Sequence, residues 1–175
     1  GEGLAGLVLG TKDMNLFREN ITNNGYLLSE ISAGEGINEQ DEHREWLLQF
    51  LPHELTRGLF SFVVEHKSGA LPFIERNKSA INKLEQVVIK TNDADDFIHV
   101  YRDIFGIRLA LDKFVEAWKK RILFFRLNKT TIEVIEEINE IVSPTDSLWG
   151  LAWGVSDINL VKERLEKHNI EISDI

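Results

Sequence analysis

Leu4-Ala5-Gly6-Leu7-Val8-Leu9-Gly10-Thr11-Lys12-Asp13 and Leu148-Trp149-Gly150-Leu151-Ala152-Trp153-Gly154-Val155-Ser156-Asp157 are two copies of one segment. The match runs without a gap over residues 4–31 and 148–175, an offset of 144. Identical pairs include Leu4/Leu148, Gly6/Gly150, Leu7/Leu151, Gly10/Gly154, Asp13/Asp157, Asn15/Asn159, Leu16/Leu160 and Glu19/Glu163. A fixed-offset repeat of this kind decides the architecture before any single element does. Each copy reads as a short apolar strand, Leu7 to Leu9 or Leu151 to Val155. An aspartate follows, Asp13 or Asp157, whose carboxylate can accept the free N–H groups at a helix start. The helix carries apolar residues at helical spacing: Leu16, Phe17 and Ile21, or Leu160, Val161 and Leu165. It stops near Asn23-Asn24-Gly25 or His168-Asn169, residues that tolerate the left-handed conformation. A second strand is expected from Tyr26 or Ile170.

A more diverged copy lies between them. Leu84 to Lys90 is a strand rich in β-branched residues. Asp93 to Asp96 supplies capping carboxylates, and Phe97, Val100, Tyr101 and Ile104 make a buried helical stripe. Phe105-Gly106 ends the helix, and Ile107 to Leu111 is a strand. Arg121–Leu127 and Thr130–Ile135 follow as a hairpin around Asn128-Lys129. The first copy has a similar tail, Trp46–Leu51 and Leu59–Glu65. The order strand, helix, strand, strand, strand therefore occurs twice and begins a third time. The expected divisions are module one over 1–68, a linker over 69–82, module two over 83–140 and a half module over 147–175. Ala33 to Arg44, polar with Gly34 and Gly36, reads as a flexible loop. The half module leaves a sheet edge that needs a strand from elsewhere in the chain, from a partner chain or from residues beyond this sequence. A homodimer is one such arrangement.

Leu84-Glu85-Gln86-Val87-Val88-Ile89, the helix end Phe97-Ile98-His99-Val100-Tyr101-Arg102-Asp103-Ile104-Phe105-Gly106-Ile107, and the strands Ile122–Leu127 and Thr131–Ile135 resemble a vicinal-oxygen-chelate module. That superfamily holds the glyoxalases, bleomycin-resistance proteins and extradiol dioxygenases. The glycine-led starts of modules one and three resemble its glyoxalase-like branch. The resemblance implies an α+β fold of repeated βαβββ modules that curl into a half-open mixed barrel around a site, with an incomplete third module. Two facing sheets would enclose a pocket of the size small ligands need.

The resemblance also implies a metal position: a His or Gln on a module's first strand and a Glu near the end of its last. The matching residues are Gln86 and Glu133 in module two and Glu65 in module one, with Gly6 and Gly150 at the other first-strand positions. If modules one and two share a barrel, Glu65, Gln86 and Glu133 converge on a divalent metal (Mg, Mn, Fe or Zn). Two carboxylates and an amide oxygen suit Mg, Mn or Fe better than Zn. Each of the three reads equally as an ordinary hydrogen-bonded or solvated strand residue. His43, His53, His99 and His168 read as surface residues. The tryptophans at 46, 118, 149 and 153 are candidates for lining a pocket, although Trp46 and Trp153 read first as core or interface.

Composition narrows the function. The net charge is -9, which argues against a nucleic-acid surface, since phosphate binding needs clustered Lys and Arg. The basic runs, Lys119-Lys120-Arg121 and Arg76 with Lys78, are short. There is no cysteine, so disulfides, thiolate metal sites and cysteine nucleophiles are excluded. That absence fits a reducing cytoplasm. No apolar run approaches a membrane span, and no glycine-rich phosphate loop for a nucleotide cofactor is present. Three functions remain. One is a metal-dependent lyase, isomerase or dioxygenase acting on a small-molecule ligand through two vicinal oxygens. Another is a metal-free protein that sequesters a small molecule, and the third is a degenerate module serving assembly. The missing histidine and the two glycines move weight toward binding.

Overall fold

The computed structural model describes residues 3–39, 41–69, 80–137 and 145–173. Most of the expected linker, with Arg76 and Lys78, lies outside these residues, as do 138–140 at the end of module two and 141–144 after it. The chain is α+β and builds two unclosed sheets. The first contains β1 (Leu7–Gly10), β2 (Ser32–Ile37), β3 (His43–Phe50) and β4 (Ser61–Ser68), with α1 (Met14–Asn23) and a short helical turn α2 (His53–Thr56) between them. Its strand order is β1-β4-β3-β2, with β1 parallel to β4 and the other neighbours antiparallel. The second contains β5 (Ile81–Thr91), β6 (Arg108–Val115), β7 (Lys120–Leu127), β8 (Thr130–Glu136) and β9 (Ser147–Val155). Here α3 (Ala94–Ile98) continues into a π-helical turn over His99–Ile104, and α4 (Ile158–Lys167) follows β9. The order is β6-β7-β8-β5-β9, with β5 parallel to β8 and antiparallel to β9.

The aspartates start the helices as their sequence positions require. Asp13 accepts from the Leu16 N–H at 3.0 Å, Asp93 from Asp96 at 3.0 Å, and Asp157 from Asn159 and Leu160 at 3.0 and 3.2 Å. At the far end of α3 the repeat widens. The Phe105 N–H donates to the Val100 carbonyl at 2.9 Å, five residues back, and Ile107 donates to Tyr101 at 2.9 Å. Gly106, at φ +70°, closes this turn where a side chain would be strained. The widened turn lets four rings interlock. Phe97 stacks on Tyr101 at 4.0 Å, and Phe105 and Phe125 meet Tyr101 at 5.3 and 5.9 Å.

Two expectations about strands fail. No strand starts at Tyr26 or Ile170; Tyr26, Leu28 and Ile31 instead pack individually against the core from an irregular segment. The expected loop at Ala33–Arg44 contains β2 and the start of β3. The glycines that suggested flexibility have a packing role: the Trp46 indole lies across Gly34 and Gly36, in the space a side chain would occupy.

The modules meet through their helical sides. One core cluster holds Leu7, Leu9, Met14, Ile21 and Val63 of module one together with Val87, Ile89, Phe97, Tyr101 and Phe125 of module two. Phe17 contacts Phe105 at 6.2 Å, and the Asn20 amide donates to the Ile104 carbonyl at 2.6 Å. Arg57 ties the two together electrostatically. Its Nε lies 3.1 Å from Asp146 Oδ1, its Nη1 2.7 Å from Asp96 and its Nη2 2.6 Å from Asn92. The first strand of module two therefore pairs with the half module, through β5 and β9, and not with module one.

Candidate functional site

The pleat of the second sheet separates its residues into two sets. Val87 and Ile89 of β5, Leu123 and Phe125 of β7, and Ile132 and Val134 of β8 join the core beneath the helices. Gln86, Val88 and Lys90 alternate with them and face the other way, as do Glu133 and Ile135 of β8 and Ile122 and Phe124 of β7. Gln86 pairs with Thr131 and Val88 with Glu133 across the parallel ladder, so Gln86 and Glu133 occupy adjoining strands of one helix-free face. On the other side of β5, Gly150 and Ala152 of β9 lie opposite Val88 and Gln86. Their small side chains leave that part of the face open.

Glu133 is the unusual group. Itself half-buried, it sits opposite Val88 of β5, which is 6 % exposed, and opposite Phe124 of β7. Burial pushes its carboxyl above the ordinary glutamate value. No hydrogen bond or ion pair joins it to another described residue. Farther along the same face a charged cluster closes the strand ends. Glu137 accepts from Lys90 at 2.8 Å and Lys120 at 3.1 Å, which hold its carboxyl below the usual range. The Lys90 ammonium also lies 6.0 Å from the centre of the Trp149 ring. The sequence reading missed this cluster, although the alternation of Lys90 with Gln86 and Val88 on one strand places it on the same face.

Glu65 lies elsewhere. It belongs to the first sheet, on its helical side, and is 8 % exposed. Its Oε2 accepts the Met14 N–H at 2.8 Å, at the start of α1, and its Oε1 accepts from Lys67 at 2.7 Å. The Lys67 contact, then the Met14 N–H, holds its carboxyl below the ordinary value. The structure thus brings Gln86 and Glu133 together but does not bring Glu65 to them. Its counterpart in module two is Glu136, whose Oε1 accepts the Ala94 N–H at 2.9 Å at the start of α3. The ladder registers confirm the match. Leu7 pairs with Ser61 as Val87 pairs with Ile132, so Phe62, not Glu65, occupies the position of Glu133. Module one therefore presents Gly6 and Phe62 where module two presents Gln86 and Glu133.

That donor set does not by itself fit a metal ion. One carboxylate and one amide share the face, and the equivalent first-strand position of β9 is Gly150, which offers no side-chain ligand. Among the described residues no group of three His, Asp or Glu side chains is arranged to hold a metal. The five histidines are all exposed. Among the described residues no helix is long and apolar enough to cross a membrane.

No curated protein matches this sequence. Several solved structures resemble it. Methylmalonyl-CoA epimerase from Mycobacterium tuberculosis is 20% identical, over 54% of this chain and 69% of that one, with a TM-score of 0.45. A hypothetical protein from Staphylococcus aureus is 10% identical, over 78% of this chain and 53% of that one, with a TM-score of 0.53. A hypothetical protein from Bacillus halodurans is 19% identical, over 50% of this chain and 66% of that one, with a TM-score of 0.40. The chain spans about half the length of the Staphylococcus protein, and that likeness shows the fold. The family model of the glyoxalase/bleomycin resistance protein/dioxygenase superfamily matches residues 85–174, just over half of the chain. The matched stretch runs from β5 through β9 and nearly all that follows, the same elements that share the second sheet. By that match, and with the βαβββ order of its two complete modules, the chain belongs to the glyoxalase/bleomycin resistance protein/dioxygenase superfamily.

Proposed function

We propose that this protein binds a small molecule on the helix-free face of β5, β8 and β7, with Gln86 and Glu133 recognising its polar atoms. The observation that supports this most is the setting of Glu133. A half-buried carboxyl beside Val88 and Phe124, joined to no other described residue, has only solvent as its partner, which a ligand's polar atoms can replace. Gln86, beside it, offers both an amide donor and an acceptor. A ligand with adjacent oxygens would satisfy both groups while its carbon skeleton lies on Phe124 and Ile135. The Lys90–Glu137–Lys120 cluster bounds the face and gives an anionic end of the ligand a cationic neighbour.

Superfamily membership supports a second reading, a divalent-metal enzyme. Gln86 and Glu133 would then be two of the ligands, with the remaining positions open to water and substrate. The bound metal would stabilise an oxyanion on the substrate. The two readings separate in one experiment on metal-free, isotope-labelled protein. A panel of small hydroxy and oxo acids is titrated while the Gln86 side-chain amide and the methyl groups of Ile122 and Ile135 are followed by NMR. The binding reading expects a member of the panel to shift these signals in wild type and not in Glu133→Leu. A panel that leaves them unmoved refutes it. Mn2+ broadening centred on Glu133 at stoichiometric metal, abolished in Glu133→Ala, would establish the metal reading instead.

A further inference from the structure

The helix-free face of the second sheet carries a polar row beside Glu133. Arg108 of β6 lies opposite Arg126 of β7, Arg126 lies opposite Thr131 of β8, and Thr131 lies opposite Gln86 of β5. Leu109, Phe125 and Ile132, their neighbours along the strands, pack with the core. Arg108, Arg126, Thr131 and Gln86 therefore stand side by side across four strands on the other face. The row next to it is Leu111, Phe124, Glu133 and Val88.

Two like charges directly opposite each other on a sheet are unfavourable. Both arginines are exposed, and the chain holds 29 acidic residues against 20 basic ones. Elsewhere it spends aspartates on its arginines: Arg57 meets Asp96 and Asp146, Arg102 meets Asp103, and Arg121 meets Asp95 and Asp112. Among the described residues neither Arg108 nor Arg126 pairs with a carboxylate, and Glu133 in the adjacent row bonds neither. The Arg126 Nη1 donates to the Thr131 hydroxyl, a neutral acceptor. Thr131 is buried, so this contact fixes the guanidinium over the row. The hydroxyl keeps its own proton to donate outward, and the Gln86 amide supplies further N–H donors. At the opposite end of the face Lys90 and Lys120 already share Glu137. The charge without a counterion is thus at the arginine row.

We propose that Arg108, Arg126, Thr131 and Gln86 form a subsite for the phosphoryl group of a small organic phosphate. Its double negative charge matches two guanidiniums, and its oxygens can accept from both forks, the hydroxyl and the amide. Two cations on a chain of net charge -9 suit one such group and not a nucleic-acid backbone. The rest of the ligand rests on the reading of Glu133 given above: a carbon skeleton running over Phe124 brings its hydroxyl groups to that carboxyl.

The test is an NMR titration of isotope-labelled protein in phosphate-free buffer, following the Nε–H signals of Arg108 and Arg126. Inorganic phosphate is expected to shift both signals saturably, where chloride at equal ionic strength does not. Arg108→Gln and Arg126→Gln each weaken phosphate binding by about tenfold or more, read from the remaining arginine. Arg164→Gln, which removes a positive charge from α4, leaves it unchanged. Circular dichroism melts of the two row variants show that they fold, with Tm at or above wild type because the like-charge pair is relieved. Glycerol 3-phosphate is expected to bind more tightly than inorganic phosphate, and Glu133→Leu removes that advantage while inorganic phosphate still binds. Equal binding of the two in wild type refutes the role of Glu133 and leaves the arginine row standing. Signals that phosphate does not move, shifts that chloride reproduces, or malonate binding as tightly as phosphate overturn the phosphoryl subsite.

Discussion

Replacing Arg57 by alanine leaves Asp146 a buried carboxylate without its cation. The side chain of Asp146 is 1% exposed and that of Arg57 13%, whereas Asp96, the other anion, is 45% exposed. The Asp96 contact therefore has surface magnitude, roughly 0.2–1 kcal/mol. The Asp146 contact belongs to the class in which removing one partner costs about 3–5 kcal/mol, because the remaining charge stays in the interior. A destabilisation of about 3 kcal/mol, at the lower end, is expected, since Thr91 also hydrogen-bonds Asp146 and remains in place. For a chain of this size that lowers Tm by roughly 6–12 °C. Urea titrations followed by circular dichroism measure it directly. The pH dependence gives a second reading. Burial already holds the Asp146 carboxyl above the ordinary aspartate value, despite Arg57. Without Arg57 it rises further. A carboxyl raised in the folded state binds more protons there than in the unfolded chain. Stability then increases as pH falls through the folded pKa. The deficit of Arg57→Ala should thus be largest near pH 8 and shrink toward pH 5, and Asp146→Asn on that background should recover part of it at pH 8. A loss below about 1 kcal/mol, or a deficit flat across that range, refutes the account of Arg57 as the buried link between modules.

Glu133→Gln removes a desolvated charge without removing a hydrogen bond. Its folded pKa is raised, so wild type is the less stable protein at pH 8 and the difference closes as pH falls toward 4, measured as Tm across the range. Glu65→Gln behaves oppositely: its carboxyl is held low, so its contribution is present at neutral pH and disappears on acidification below the ordinary glutamate range. Faster exchange of the Met14 amide in that variant locates the effect at the start of α1. Asp157→Ala removes the α4 cap, worth about 1 kcal/mol. Because α4 has no buried residue, the loss should accelerate hydrogen exchange within α4 and leave the global unfolding midpoint nearly unchanged.

The sequence was most legible where structure depends on neighbours along the chain. Asp13, Asp93 and Asp157 each accept an N–H two or three residues on, a local arrangement that the residue type nearly dictates. The order of strands and helices followed from the same local signals and the repeat. What escaped depended on pairing partners. Gly34 and Gly36 look like a loop until Trp46 is laid across them from the next strand. Arg57 and Asp146 are 89 residues apart and carry no mutual signal in the chain. The placement of Glu65 failed for a related reason. Val63-Val64-Glu65 and Val134-Ile135-Glu136 align as readily with one neighbour as with another by composition. Only the ladder with the first strand of each module fixes which residue faces which side.

That ladder changes what the repetition means for chemistry. An acidic residue recurs at the end of the last strand in both complete modules, Glu65 and Glu136, and in both it receives the first N–H of the module's helix. Its recurrence is explained by folding alone, since an unpaired N–H at a helix start needs an acceptor. The residues that differ lie on the opposite face. Module one has Gly6 and Phe62, with the Phe60 ring filling the space above Gly6; module two has Gln86 and Glu133. An apolar face carrying two exposed rings favours burial against another surface. A face that keeps a partnerless carboxyl favours a polar ligand. One βαβββ scaffold thus presents an apolar face in its first copy and a face with an amide and a carboxyl in its second.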